Sequence, residues 1–354
     1  MSNRVQEINE TDKFLSVLPL SHTYENTIGL IFPMTRGACI YYLGKVPTPS
    51  VLLPALQVIK PTIMLTVPLI IEKIFRNRIK PKFTGNIFLR FAIHIPYIRK
   101  KINIVAGKKL METFGGELRF FGIGGAKLNK TVEKFLIEAK FPYAIGYGLT
   151  ETSPLLAGSN PGNFRLQSAG PAIEGIELII HNPDTITGEG EIWAKGPNVM
   201  KGYYKEPGLT QEIITADGWL KTGDLGAFDN DGFLYIKGRI RNMIVRSGGE
   251  NIFPEEIESV MNNFRHVADS LVLDQKGKLV AKINFNREEI KEHHRHLKEA
   301  NADYIEHEIE KLRIEIQTYV NHRVNKFSQI QEVIIMPEAF EKTATQKIKR
   351  YLYA

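Results

Sequence analysis

Four short segments of the 354-residue chain set hydroxyl, carboxylate or cationic side chains close to glycines or other small residues. They are YGLTET at 147–152, GWLKTGDLG at 218–226, GRIRNMIVRSGGENIFPEEIE at 238–258 and KTATQKIKR at 342–350. Glycine matters at such places because backbone without a Cβ can approach a ligand closely and offer it N–H groups. Thr150 and Glu151 pair a hydroxyl able to bond a phosphate oxygen with a carboxylate able to hold Mg²⁺. Tyr147 can stack on a purine, and Gly146 and Gly148 leave room for a substrate carbonyl. Asp224, expected in a glycine-flanked turn, can accept two ribose hydroxyls, and the fork-shaped cation Arg239 complements it. Lys347 can deliver a compact positive charge where negative charge develops. Each motif also has an ordinary reading: a helix start for TxE, a capped hairpin turn for TGD, a basic tail for KTATQKIKR. Pro254 followed by two glutamates is a good helix start in either case.

The elements around these segments are readable from periodicity. Up to about residue 160, strand-like runs (FLSVLPL, ACIYYLG, TIMLTV, ELRFFGIGG) alternate with helical ones, which predicts an α/β layer with a largely parallel sheet. The stretch 128–140 puts Val132, Phe135, Leu136 and Ala139 on one helical face. FFGIGGAKLN and YAIGYGLTET then fall at strand ends, where such sheets bind ligands. Over 161–238, thirteen of the 29 glycines punctuate short apolar runs, the pattern of a small antiparallel sheet or barrel. From 239 to 354 a third, α+β unit is expected, with helix PEEIESVMNN, strands DSLVLD and KLVAKINF, and an amphipathic helix over 300–326.

Composition excludes some classes. The single cysteine, Cys39, rules out an intrachain disulfide framework; lying in an apolar run, it is expected in the core. The opening MSNRVQEINETDK is too polar for a signal peptide, so a cytoplasmic location is expected. Prolines 54, 61 and 68 with Lys60 divide the apolar stretch 51–71, which predicts a buried strand at TIMLTV rather than a membrane span. Net charge is +7, yet 73–111 alone carries eleven Lys and Arg and no carboxylate, leaving −4 elsewhere. Isoleucines and aromatics interleave with these cations, which suggests peripheral contact with anionic lipid at the inner face of a membrane; solvated lysines on a helix are the alternative. No recognised nucleic-acid motif accompanies the charge. His293, His294 and His296 sit on a charged stretch without partner ligands and are expected in solvent.

Taken together, the order and spacing of the four motifs resemble the adenylate-forming superfamily of acyl-CoA synthetases, luciferases and peptide-synthetase adenylation domains. The resemblance runs from about residue 11 to the end. It implies a partial adenylating domain (an α/β layer to residue 160 and a small antiparallel β-barrel over 161–238), followed by a mobile α+β C-terminal domain. It also implies that Thr150 contacts the AMP phosphate, that Glu151 binds the metal, and that Gly124, Gly125, Ala126, Tyr147 and Gly148 frame the nucleotide. Asp224 and Arg239 would hold the ribose, Arg241 would be the pivot of a domain rotation, and Gly248 would admit the pantetheine arm of CoA. Lys347 would be the adenylation lysine, although Glu341 and Gln346 stand where the family pattern PKTxxGKIxR has proline and glycine. TQKIKR and LPLSHTYENTIG at 18–29 resemble the bacterial long-chain fatty acyl-CoA synthetases, with His22, Tyr24 and Gly146 lining an acyl pocket.

The implied activity joins a fatty acid to CoA at the expense of ATP, with Mg²⁺. The family's phosphate loop, SSGTTGxPKG, does not occur in the sequence. The chain is therefore expected to be a C-terminal portion of a ligase, weak or inactive alone, whose missing part is a separate N-terminal chain, was lost by truncation of the gene, or was left out of the piece chosen for expression. The alternatives are an adenylating ligase for aryl or amino acids, and a non-enzymatic remnant that binds AMP, CoA or a partner.

Overall fold

The computed structural model describes residues 7–45, 47–79, 81, 94–246, 250–293, 302–343 and 347–354. The chain divides into two compact units, one of 1–222 with 226–236 and one of 223–225 with 237–354.

In the first unit the elements run β1 (Lys13–Ser16), a π-helical segment (Glu25–Ile31), α1 (Phe32–Thr35), β2 (Cys39–Tyr42), α2 (Pro49–Ile59), β3 (Ile63–Thr66), α3 (Pro68–Ile74) and a second π-helical turn (Phe75–Ile79). They continue through α4 (Pro96–Thr113), β4 (Phe120–Ile123), α5 (Lys130–Glu138), β5 (Tyr143–Gly148) and β6 (Leu155–Gly158). Six strands form one sheet in the order β2-β1-β3-β4-β5-β6, parallel until β6 closes it antiparallel. As expected, TIMLTV is a strand: β3 is buried at every position, with Met64 on the face shared by Leu52, Leu56 and Ile71 and with Ile63 and Leu65 on the face shared by Phe14 and Phe120. Among the described residues no helix is long and apolar enough to cross a membrane.

The N-terminal strand ends are stitched together by one carboxylate. Asp12, buried before β1, accepts from Thr62 Oγ1 at 2.7 Å and from Arg119 Nε at 2.8 Å, which ties the starts of β1, β3 and β4. Fixing those ends sets the level of the opposite, C-terminal ends. Helix α5 starts where the Asn129 side chain accepts the N–H groups of Thr131 and Val132, and its buried face is the expected Val132, Phe135 and Leu136. Cys39, by contrast, is exposed rather than in the core. It lies on β2, the edge strand, which among the described residues has a strand partner on one side alone, so an apolar run there did not mean burial.

Downstream, β7 (Glu177–His181), β8 (Gly190–Lys195), β9 (Leu220–Phe228) and β10 (Leu234–Arg239) make a four-stranded sheet ordered β10-β9-β8-β7, with α6 (Pro207–Ile213) in between. The second unit contains β11 (Ile244–Val245), β12 (Asn251–Ile252), α7 (Pro254–Met261), β13 (Val267–Gln275), β14 (Lys278–Phe285), α8 (Arg287–His293), α9 (Ala302–Asn321) and β15 (Glu332–Ile335). Its core packs Ile305, Ile309, Leu312, Ile316 and Val320 of α9 against the three-stranded sheet, as their three- and four-residue spacing predicts. Of the three histidines set aside, 294 and 296 lie outside the described residues.

One buried carboxyl stands out. Glu25, at the start of the first π-helical segment, is 1% exposed; Ser16 hydrogen-bonds it, and its Oε2 has no partner. A Cβ on Gly29 would come within 2.6 Å of Oε1, so the glycine makes room for it. Burial raises its pKa from 4.5 to about 7. The folded state therefore holds this proton more tightly than the unfolded chain. The stability it contributes is full at acid pH and is lost as pH rises from 4.5 through about 7. Glu25→Gln should remove that dependence, gaining on the order of 3 kcal/mol over the parent at about pH 8 relative to about pH 5. Urea titrations followed by Trp193 and Trp219, both in the first unit, give the comparison; a gap that does not change with pH contradicts it.

Candidate functional site

In the first unit the predicted residues collect at the C-terminal ends of adjacent strands β4 and β5. Gly124, Gly125 and Ala126 follow β4, with Gly125 at φ +86°, a left-handed conformation that favours glycine. The Tyr24 ring lies across this turn: a Cβ on Gly124 would be 3.2 Å from it, and one on Gly122 would be 3.0 Å from its hydroxyl. That hydroxyl is hydrogen-bonded to the Thr66 backbone, and burial raises its pKa. His22 Nδ1 accepts the Tyr24 N–H at 3.2 Å, so the imidazole also shapes the start of the helical segment.

At the end of β5, backbone approaches backbone. A Cβ on Gly148 would stand 1.6 Å from the Pro154 carbonyl oxygen, so no other residue fits there. Leu149 N–H donates to Thr152 Oγ1 at 3.0 Å, and that hydroxyl donates to Pro154 O at 2.6 Å. The result is a short 3₁₀ turn, Thr150–Thr152, that presents Thr150 and Glu151 at the surface. Gly146 packs on Leu155, and Tyr147 is 9% exposed among Leu156, Ala157 and Leu234.

The sequence reading missed the segment that braces this turn. Asn198 Nδ2 donates to the carbonyls of Thr152 and Leu155 at 2.7 and 2.8 Å, and Met200 N–H donates to Glu151 O at 2.8 Å. The Tyr203 hydroxyl donates to Glu151 Oε1 at 2.9 Å, which aims the carboxylate. The signal was present in NVMKGYY, where an amide and an aromatic pair bracket a glycine. Among the described residues no group of three metal-type ligands occurs. A single aimed carboxylate suits Mg²⁺, which keeps several waters and relies on substrate phosphates for most of its other contacts.

In the second unit Asp224, Arg239 and Lys347 come together. Asp224 is not in a turn as expected. It lies within β9, the hairpin turn having formed earlier at 215–219, where Gly218 N–H bonds Thr215 O and Thr215 N–H bonds Trp219 O. Gly223 at φ +70° distorts the strand there and gave the sequence its turn-like look. Asp224 is 5% exposed, and Arg239 Nε stands 2.8 Å from its Oδ1. Arg241 follows in a 3₁₀ turn, Ile240–Asn242. Lys347 has an exposed side chain, yet the surrounding protein withholds enough water from its ammonium to lower its pKa. Repulsion from Arg239 adds to this, Asp224 opposes it, and Arg241 contributes a further push. Gly248 lies outside the described residues.

Lys347 is held on an anchored hairpin. Thr343 N–H donates to Lys347 O at 2.8 Å, and Lys349 N–H donates to Glu341 O at 2.9 Å. On one side Lys342 pairs with Asp269 at 2.7 Å; on the other Arg350 pairs with Glu258 of α7 at 2.7 Å and donates to Val272 O. Glu341, where the family pattern has proline, donates its N–H to Tyr353 Oη near the chain end at 2.8 Å and pairs with Lys349. A proline could not make that first bond.

Replacing Arg350 with Leu would leave Glu258 enclosed without its cation, a loss on the order of 3 kcal/mol. Amide hydrogen exchange should then quicken through α7 and at 347–349, and Glu258→Gln in the same chain should recover part of the protection. Unchanged exchange in Arg350→Leu would show that the pair does not anchor the hairpin.

Comparisons with known proteins identify the family. A family described as AMP-binding enzyme matches residues 1–204. Long-chain-fatty-acid–CoA ligase 1 of Saccharomyces cerevisiae is 32% identical over 301 residues, covering 78% of this chain and 42% of that protein. Long chain acyl-CoA synthetase 7, peroxisomal, of Arabidopsis thaliana is 30% identical over 310 residues, or 81% of this chain and 44% of that one. The chain thus spans less than half the length of these curated relatives. Among solved structures, the O-succinylbenzoate CoA synthetase of Bacillus subtilis in complex with ATP and magnesium ion superposes with a TM-score of 0.70 at 25% identity, covering 97% of this chain and 62% of that one. With more than half its length matched, the chain belongs to the AMP-binding enzyme family.

Proposed function

We propose that the chain carries the nucleotide- and CoA-handling part of a long-chain fatty acid–CoA ligase. The observation that carries this reading is the grouping of Asp224, Arg239 and Lys347, three residues spread over more than a hundred positions that the ordinary readings of their motifs leave unconnected. The names of the relatives supply the substrate class.

In this reading the fatty carboxylate oxygen attacks the α-phosphorus of ATP, the bond to pyrophosphate breaks, and an acyl-adenylate forms. The CoA thiol then attacks the acyl carbon, loses its proton and releases AMP. Mg²⁺, when bound, would neutralise phosphate charge from Glu151, which Tyr203 orients. Thr150 bonds the α-phosphate; Gly124, Gly125, Ala126, Tyr147 and Gly148 shape the adenine side; Asp224 and Arg239 take the ribose hydroxyls. Lys347 meets the charge that develops at the phosphate and acyl oxygens. His22, Tyr24 and Gly146 border the acyl group. Arg241 serves as the pivot that exchanges Lys347 for the Gly248 loop before thioester formation. Donors for the β- and γ-phosphates come from residues outside these 354, on the same polypeptide or on a separate N-terminal chain. A substrate that partitions into bilayers also makes peripheral membrane contact through 73–111 part of the reading.

Calorimetry with non-hydrolysable acyl-adenylates tests it. A palmitoyl analogue should bind better than benzoyl or aminoacyl ones, and Asp224→Ala should weaken it by roughly tenfold to a hundredfold. Equal binding of all three analogues moves the substrate to the aryl or amino-acid alternative. An Asp224→Ala chain that binds like the parent removes the nucleotide site from this account.

A further inference from the structure

A cleft between the second π-helical turn and α4 takes part in none of the chemistry above. Its volume is about 430 Å³, within the range of small-molecule sites. Ile79, Ile102, Ala106 and Leu110 line it with apolar surface, and Arg78, Lys101 and Lys109 stand exposed at its margin. The orientation of α4 is fixed by its other face. Arg99 and Asn103 both bond Glu138, and Gly107 lies so close to Ala139 that a Cβ there would be 2.5 Å from its carbonyl oxygen. The cleft face of α4 is therefore held outward.

Apolar side chains extend past the cleft. Ile95 is 51% exposed, Tyr97 68% and Ile98 37%, on α4 or the residue before it, and Val105 of the cleft wall is 59% exposed. Four large apolar residues exposed together among cations are unusual on a free surface. No carboxylate occurs between Lys73 and Met111, although Arg99 is paired with Glu138 from α5. A single fatty acid in the cleft would leave Ile95, Tyr97 and Ile98 uncovered, and a polyanion such as RNA would have no use for an apolar slot. An anionic bilayer satisfies all three features: an acyl chain enters the slot, phosphates meet the cations, and the exposed apolar residues enter the interface. We propose that α4 and this cleft dock the protein on anionic phospholipid. Residues 80 and 82–93 lie outside the described residues. The docking rests on the membrane contact of 73–111 named in the proposed function but uses no residue of the nucleotide site, so vesicle binding and adenylate binding fail independently.

Sedimentation with phosphatidylglycerol and with phosphatidylcholine vesicles, at low and high salt, tests the proposal on the full chain. Binding should require phosphatidylglycerol and weaken with salt. Lys101→Gln and Lys109→Gln should each cost about fivefold in vesicle affinity. Ile98→Ser with Val105→Ser, both at exposed positions that the core does not need, should reduce the binding that survives high salt. Absence of binding at low salt, variants that bind like the parent, or binding to RNA or monomeric fatty acid without vesicle binding would each overturn it.

Discussion

Asp224, a carboxylate only 5% exposed, has a cation beside it in Arg239, whose Nε stands 2.8 Å from Oδ1. That pair fixes the electrostatics of the second unit's candidate site. It joins a strand residue to the end of β10, and it sets the field in which Lys347 sits. Two guanidinium groups and local desolvation push protons off Lys347, while Asp224 holds them on. A lysine so placed is sensitive to any further negative charge brought near it, as a phosphate would bring. The pair is thus both a structural tie and the reason the lysine is poised.

In the first unit, the candidate site is built on backbone turns that only particular residues permit. Gly148 lets the chain pass against Pro154, Thr152 satisfies the donors and acceptors that the tight turn strands, and Tyr203 aims Glu151. The N-terminal strand ends stitched at Asp12 fix β3 and β4, and β5 pairs alongside β4, which gives these turns a stable platform. Precision comes from the sheet and chemistry from the loops, the division of labour expected of a parallel α/β layer.

Periodicity made much of the architecture legible. The buried strand at TIMLTV, the Val132–Phe135–Leu136 face of α5 and the apolar ridge of α9 follow from two local rules, period two and period 3.6, that tertiary structure did not override. What periodicity could not supply was position within a sheet. Cys39 is apolar in context yet exposed, because edge and centre strands look alike in sequence. Asp224 resembled a turn residue because a distorted strand uses the same glycine that a turn does. The NVMKGYY string was legible, but what Asn198 and Tyr203 brace was not, because their partners lie some fifty residues away. Glu341 looked like a lapse from a motif and proved to hold the Lys347 hairpin through its backbone N–H and its pairing with Lys349.

The most direct test is a crystal structure with a bound palmitoyl-adenylate analogue. The account predicts ribose hydroxyls on the Asp224 carboxylate and the Lys347 ammonium within hydrogen-bonding reach of the phosphate-mimicking group. A ligand seated away from Asp224, Arg239 and Lys347 would contradict it.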